Sequence, residues 1–118
     1  NHIRAAGGVE RALEAALDPA HAAGLEVEIE VTTEAELRAA VAHSPDRIML
    51  DNMSPAELES AVRLVRSQRP PHPLLEASGG IDLESARRVA ETGVDYISVG
   101  AITHSAPALD LSLLVTGE

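Results

Sequence analysis

The chain has 118 residues, a formal net charge of −10, nine arginines, no lysine, no cysteine and one tyrosine as its sole aromatic residue. The negative balance argues against a polyanionic nucleic-acid partner, and one aromatic ring gives no platform for stacking bases. The lack of cysteine excludes a disulfide scaffold, a thiolate nucleophile and a thiolate metal site, and it suits a reducing, cytoplasmic location.

The first predicted element is a helix from Ala5 to Leu17, with Val9, Ala12, Leu13, Ala16 and Leu17 at helical spacing and Asp18-Pro19 as its stop. Gly7-Gly8 sits early in that helix at a cost in helix propensity; the pair either weakens it or marks a close approach to a ligand. A strand is expected over Leu25–Val31, followed by a helix from Glu34 to Ala42 that Thr33 and Glu36 begin as a capping box. Arg47–Leu50 reads as the second strand. Ser54-Pro55 then opens a helix whose buried stripe is Leu58, Ala61, Val62 and Val65. After the proline-rich loop 68–73 come a third strand, Leu74–Ala77, and a helix from Leu83 to Thr92, capped by Asp82 and closed by Gly93. The fourth strand is Tyr96–Val99; a turn or short helix carrying His104 and a last packed element over Asp110–Val115 follow.

The strands recur with spacings of 21, 25 and 22 residues from Glu30 to Asp51, Glu76 and Ser98, the rhythm of a strand plus a crossover helix. The fold class expected is α/β: the C-terminal portion of an atypical, partly open (β/α) barrel with about four parallel strands in this segment. Four such units leave two parallel edges open, so a preceding segment, in the same or another chain, is expected to supply the rest of the barrel. A small flavodoxin-like domain is the weaker alternative, because each strand carries polar groups where a doubly wound sheet calls for an apolar run. No stretch approaches the length of a membrane helix, and no signal-peptide pattern opens the chain.

Alternation sorts the strand residues into two faces. Val27, Ile29, Val31, Ile48, Leu50, Leu75, Ala77, Ile97 and Val99 fall on an aliphatic face suited to helices; Glu26, Glu28, Glu30, Met49, Asp51, Leu74, Glu76, Ser78, Tyr96, Ser98 and Gly100 fall on the other. Glu30, Asp51 and Glu76 are therefore candidates for a functional carboxylate cluster inside a barrel, with structural ion pairs as the alternative. Ser78-Gly79-Gly80 forms a strand–turn–helix junction whose backbone N–H groups suit a phosphate, and barrels build such sites from two late loops. Gly100 ends the next strand, and His104 follows as a further phosphate ligand or as an ordinary surface histidine.

Leu50-Asp51-Asn52, Leu75-Glu76-Ala77-Ser78-Gly79-Gly80 and the run from Thr92 through Tyr96-Ile97-Ser98-Val99-Gly100 to His104-Ser105 closely resemble the carboxylating nicotinate-nucleotide pyrophosphorylases, also called quinolinate phosphoribosyltransferases. The opening Asn1-His2-Ile3 resembles the end of that family's K-[DE]-N-H-[IV] segment. The resemblance implies a barrel of about six strands, an N-terminal sandwich domain, and a homodimer or higher homo-oligomer in which one subunit's N-terminal domain closes the other's site. It implies transfer of the phosphoribosyl group of phosphoribosyl pyrophosphate to quinolinate with magnesium, giving nicotinate mononucleotide, pyrophosphate and CO2 in NAD synthesis. On this resemblance Glu30 and Asp51 are the catalytic pair near the ribose and the metal–pyrophosphate. Glu76, Ser78, Gly79, Gly80, Ser98, Gly100 and His104 are the phosphate- and ribose-binding positions. The basic groups that hold quinolinate's carboxylates are expected to precede residue 1. A related barrel phosphoribosyltransferase acting on nicotinate or another base, and a non-catalytic structural fragment, are the alternatives.

Overall fold

A computed structural model describes residues 1–100 and Ser112. Its elements are α1 (His2–Ala6), α2 (Val9–Ala22), β1 (Glu28–Val31), α3 (Glu34–His43), β2 (Arg47–Asp51), α4 (Pro55–Arg66), β3 (Leu74–Ser78), α5 (Ala86–Ala90) and β4 (Tyr96–Ile97). The sheet is parallel throughout, in the order β1-β2-β3-β4. That order carries the architecture. Each strand is added on the same side of the last, so right-handed crossovers place every connecting helix on one face. A flavodoxin-like sheet instead reverses direction at a switch point, and no reversal occurs among the described strands.

The face under the helices is the aliphatic one. Ile48, Leu50 and Leu75 are 0% exposed, and each contributes about 1.5–3 kcal/mol by burial. They meet Leu37 and Ala40 of α3, Leu58, Ala61 and Val65 of α4, Val89 of α5 and Leu13 of α2 in one apolar cluster. The opposite face carries Glu28, Glu30, Arg47, Met49, Asp51, Glu76, Ser78 and Tyr96, as alternation requires. Among the described residues β1 pairs only with β2 and β4 only with β3, so the sheet is open at both edges.

Sequence signals at α3 and α4 are realised as expected. The Thr33 hydroxyl accepts from the Glu36 N–H, and the Glu36 carboxylate accepts from the Thr33 N–H. Ser54 and Glu57 repeat the arrangement ahead of Pro55 at the first turn. Each box satisfies backbone N–H groups that a helix start otherwise leaves to water.

Five expected boundaries move. The first helix is two helices: Gly7 adopts φ 86° and ends α1, with the Gly8 N–H bonded to Ile3 O at 2.9 Å and the Gly7 N–H to Arg4 O at 3.1 Å. This paired closure is a helix terminator that only a residue tolerant of positive φ allows. Gly7-Gly8 is thus a break between helices. Asp18-Pro19 does not stop α2, which runs to Ala22 with Pro19 inside it. Ala15, whose carbonyl loses its N–H partner at Pro19, is exposed, so water can take the donor's place. β1 begins at Glu28, three residues later than expected, because its ladder starts where β2 supplies Arg47 as a partner. The helix expected over Leu83–Thr92 contracts to Ala86–Ala90. Asp82 and Ser85 close the preceding turn on themselves, the Ser85 N–H donating to Asp82 Oδ1 at 2.7 Å and the Asp82 N–H to Ser85 Oγ at 3.0 Å. β4 is correspondingly brief, although the Ser98 N–H still reaches Ala77 O at 2.9 Å beyond its end.

The amino-terminal ends of the strands are tied by two equivalent aspartates. Asp46, just before β2, accepts the Val27 N–H at 2.7 Å and His21 Nε2 at 2.8 Å. Asp95, just before β4, accepts the Leu75 N–H at 2.7 Å and holds both its oxygens to Arg66 Nη2 at 2.7 and 2.8 Å. In each case a carboxylate ahead of one strand fastens the start of the strand before it and a side chain from the helical layer.

Candidate active site

The polar face divides into a lower part whose groups satisfy one another and an upper rim whose groups do not. In the lower part, Arg47 Nη1 donates to Glu76 Oε2 at 3.0 Å, and the Ser98 hydroxyl donates to Glu76 Oε1 in a short hydrogen bond. The Arg47 guanidinium lies over the Tyr96 ring, 4.5 Å from its centroid, a cation–π contact. Glu76 is 7% exposed, and both of its oxygens are engaged. The Ser98 hydroxyl, and then Arg47, hold its carboxyl below the ordinary carboxylate range. Glu28 goes the other way: burial first, then the Glu76 charge, push it above that range.

Arg47 was absent from the expected site, although parity with Met49 and Asp51 places it on the polar face. The sequence left these carboxylates as a functional cluster or as structural ion pairs, and Glu76 is in an ion pair. For Glu76 the cation is internal, from the neighbouring strand.

The upper rim gathers the ends of β2 and β3. Asp51 is in register with Ser78, and the Asn52 N–H donates to Ser78 O at 2.8 Å. Asn52 (φ 58°) and Gly79 (φ 85°) turn the two chains over one another. A Cβ at Gly79 would lie 2.7 Å from Asn52 N, 2.7 Å from Asp51 Oδ1 and 3.0 Å from Asn52 Cα. Real Cβ atoms do not approach backbone that closely, so glycine is required there for packing, apart from any phosphate. Gly80 (φ 62°) has more room, with Asn52 Oδ1 3.7 Å from its would-be Cβ. No hydrogen bond or ion pair engages the side chains of Asp51, Ser78 or Asn52 among the described residues.

Glu30 shares the face but stands apart. It is in register with Met49, which separates it from Glu76, and Asp51 is two residues further along β2, an axial step of about 6.6 Å. Glu30 lines a cavity of about 770 Å³ along the open edge of β1, together with His2, Arg4, Glu28, Thr32 and Met49. Glu30, Asp51 and Glu76 therefore occupy one face without converging, and no group of three or more acidic or histidine side chains able to hold a metal occurs among the described residues. Gly100 lies two residues beyond Ser98, on the way out of β4; His104 and the element expected over Asp110–Val115 lie outside the described residues. Also among the described residues, no helix is long and apolar enough to cross a membrane.

Residues 1–114 match the family described as "Quinolinate phosphoribosyl transferase, C-terminal domain". The chain is 45% identical to the carboxylating nicotinate-nucleotide pyrophosphorylase of Mycobacterium leprae, over 96% of this chain and 39% of that protein. It is 41% identical to the human protein of the same name, over 96% of this chain and 37% of that one. A solved nicotinate-nucleotide pyrophosphorylase from Francisella tularensis superposes with a TM-score of 0.77 at 46% identity, covering 95% of this chain and 38% of that one. The chain thus spans about two fifths of the length of these relatives, and the open parallel sheet is a segment of their fold. From the match over residues 1–114 and the identities above 40%, the chain belongs to the quinolinate phosphoribosyl transferase family, as its C-terminal domain.

Proposed function

We propose that this chain forms the phosphoribosyl-binding half of an enzyme that joins quinolinate to the ribose of phosphoribosyl pyrophosphate and releases pyrophosphate and CO2, giving nicotinate mononucleotide. The observation that carries the reading is the rim itself: Asp51 and Ser78, without side-chain partners among the described residues, in register beside the Gly79-Gly80 turn, at the carboxyl ends of the strands, in a chain 45% identical to a carboxylating enzyme. Ligands of barrel folds bind at that end.

Ser78, Gly79, Gly80, Gly100 and His104 hold the 5-phosphate, the glycines letting backbone N–H groups approach an anion. Glu30 and Asp51 face the ribose. As the bond from C1 to pyrophosphate breaks, C1 gains positive, oxocarbenium-like charge, and fixed carboxylates lower the energy of that state. The quinolinate nitrogen then bonds to C1 and becomes a pyridinium. When the C2 carboxylate leaves as CO2, its bonding electron pair remains on the ring next to that cationic nitrogen, and C2 takes a proton.

Magnesium fits this donor set as an ion that arrives with its substrate, since it keeps several waters and needs only one or two carboxylates besides phosphate oxygens. Asp51 at the rim would hold it directly, and Glu30, which stands apart on the same face, would reach it only through water or pyrophosphate oxygens. When bound, it neutralises charge on the departing pyrophosphate. Quinolinate's two carboxylates require cations. Arg47 is committed to Glu76, and Arg4 is the arginine lining the cavity beside β1. The resemblance to the longer relatives implies that further basic groups are supplied from outside these residues, and a homo-oligomer that closes the open face with a second subunit agrees with the open sheet.

The test is turnover by the intact enzyme, with quinolinate or nicotinate as the acceptor and both pyrophosphate and CO2 release followed. CO2 with quinolinate alone is the expected result. Nicotinate turnover, or no reaction with either base, would refute the assignment.

A further inference from the structure

The internal chain of contacts below the rim has a role that the phosphate site itself does not explain. β4 is held to β3 through only two register pairs, Glu76 with Tyr96 and Ala77 with Ile97, so its exit towards Gly100 has little ladder to fix it. Two bonds add to that hold: the Ser98 N–H to Ala77 O at 2.9 Å and the Ser98 hydroxyl to Glu76 Oε1. Glu76 in turn is aimed by Arg47, which grips Oε2 from the neighbouring strand and rests on Tyr96 of β4. One arginine thus touches both the carboxylate that pins Ser98 and the residue two positions before it.

We propose that Arg47 is a positioning residue for the phosphate end of the site: it holds Glu76 so that Glu76 fixes Ser98 and, with it, the chain that leads into Gly100. Ser98 and Glu76 then serve the phosphate through backbone placement, with their side chains spent on each other. This inference rests on the function proposed above. Removing Arg47 alone would leave the 7%-exposed Glu76 charge without its cation and endanger folding. The informative variant is therefore Arg47→Met/Glu76→Leu, which takes out both charges and replaces them with apolar side chains of similar size.

The intact enzyme, this double variant, Ser98→Ala, the triple variant and Arg47→Lys should be titrated by calorimetry with nicotinate mononucleotide and, separately, with quinolinate. Wild-type binding of the nucleotide, with CO2 release in turnover, is the control; its failure refutes the proposed function and not the brace. With the control met, the double variant and Ser98→Ala should each weaken the nucleotide about tenfold, the size of one coupled contact. Quinolinate, which carries no phosphate, should change less than about twofold. The triple variant should be no weaker than the double by more than about twofold, because all members act through one contact chain. Arg47→Lys, keeping the charge, should recover affinity to within about threefold of wild type. Wild-type nucleotide affinity in the double variant, equal weakening of both ligands, or a triple variant whose losses add would each overturn the proposal.

Discussion

Gly79→Ala is the substitution whose cost the structure allows to be worked out part by part. At φ 85° the backbone is in the left-handed region, where an L side chain costs about 1–2 kcal/mol. The added methyl would also stand 2.7 Å from both Asn52 N and Asp51 Oδ1. Relief requires shifting the turn after β2, an overpacking cost of about 1–3 kcal/mol. The sum is about 2–5 kcal/mol, against a total of about 5–15 kcal/mol for a typical folded protein. Gly80→Ala pays only the first part, about 1–2 kcal/mol, because its nearest neighbour would be at 3.7 Å. Urea unfolding of the intact enzyme and both variants, followed by circular dichroism, compares the two. Gly79→Ala should be less stable than Gly80→Ala by about 1–3 kcal/mol. Equal stabilities, or a Gly80→Ala variant that is the weaker of the two, would refute the close approach of these turns. The same geometry changes what a bulky residue at Gly79 reports. It would displace Asp51 as well as any phosphate-binding N–H, so both ribose and phosphate contacts would suffer, and a loss confined to phosphate is not expected.

Three other changes probe separate parts of the sheet. Asp51→Asn should cut kcat/KM for phosphoribosyl pyrophosphate by about 10²-fold or more while leaving unfolding nearly unchanged, since among the described residues no hydrogen bond engages its carboxylate; unchanged kinetics at saturating magnesium would remove it from the site. Asp46 has its carboxyl lowered by the Val27 N–H and then by His21, so its contribution is full above the ordinary carboxylate range and fades as pH falls through the depressed folded value. Asp46→Asn should therefore destabilise by about 1 kcal/mol at pH 7, small because the carboxylate is 35% exposed, and by progressively less as pH falls below the ordinary carboxylate range; a pH-independent difference in unfolding would contradict this. Glu28 has the opposite sign, its folded carboxyl being raised by burial and by Glu76. Its ionised form is a cost above that raised value, so Glu28→Gln should lift the melting temperature at pH 7 by about 1–2 °C and not at pH 4; a lowered melting temperature at pH 7 would show that Arg47 outweighs both.

The sequence is most legible where the signal is local. Capping boxes at Thr33/Glu36 and Ser54/Glu57 need only neighbours along the chain, and both helices start where the signals stand. Alternation placed Ile29, Val31, Ile48, Leu50, Leu75, Ala77 and Ile97 under the helices, because a side chain's face is fixed once the strand exists. Boundaries failed where a partner decides them. Leu25 and Glu26 read as strand by composition, yet no residue of β2 lies opposite them, and Val99 reads as strand beyond the point where β4 stops pairing. The aspartate ties were also present in the text of the chain, as Asp46-Arg47-Ile48 and Asp95-Tyr96-Ile97. They went unread because their partner N–H groups, on Val27 and Leu75, are 19 and 20 residues away.

Arg47 shows why a site read from residue types needs its neighbours. A buried carboxylate on a parallel strand invites a functional reading, since an isolated charge there is costly. The cost can be met by a ligand or by a cation, and only the register tells which. Arg47 lies opposite Leu74, two residues short of Glu76, close enough for its long side chain to cross diagonally and reach Oε2. One register step higher, Asp51 faces Ser78, whose short hydroxyl side chain carries no charge to meet it, and no described side chain engages its carboxylate. The same face thus spends one carboxylate on holding β3 to β4 and leaves another open. The division falls where the strands end, because below that line the groups must satisfy each other, while above it the backbone turns at Asn52 and Gly79 pass close over one another and take no side chain at Gly79.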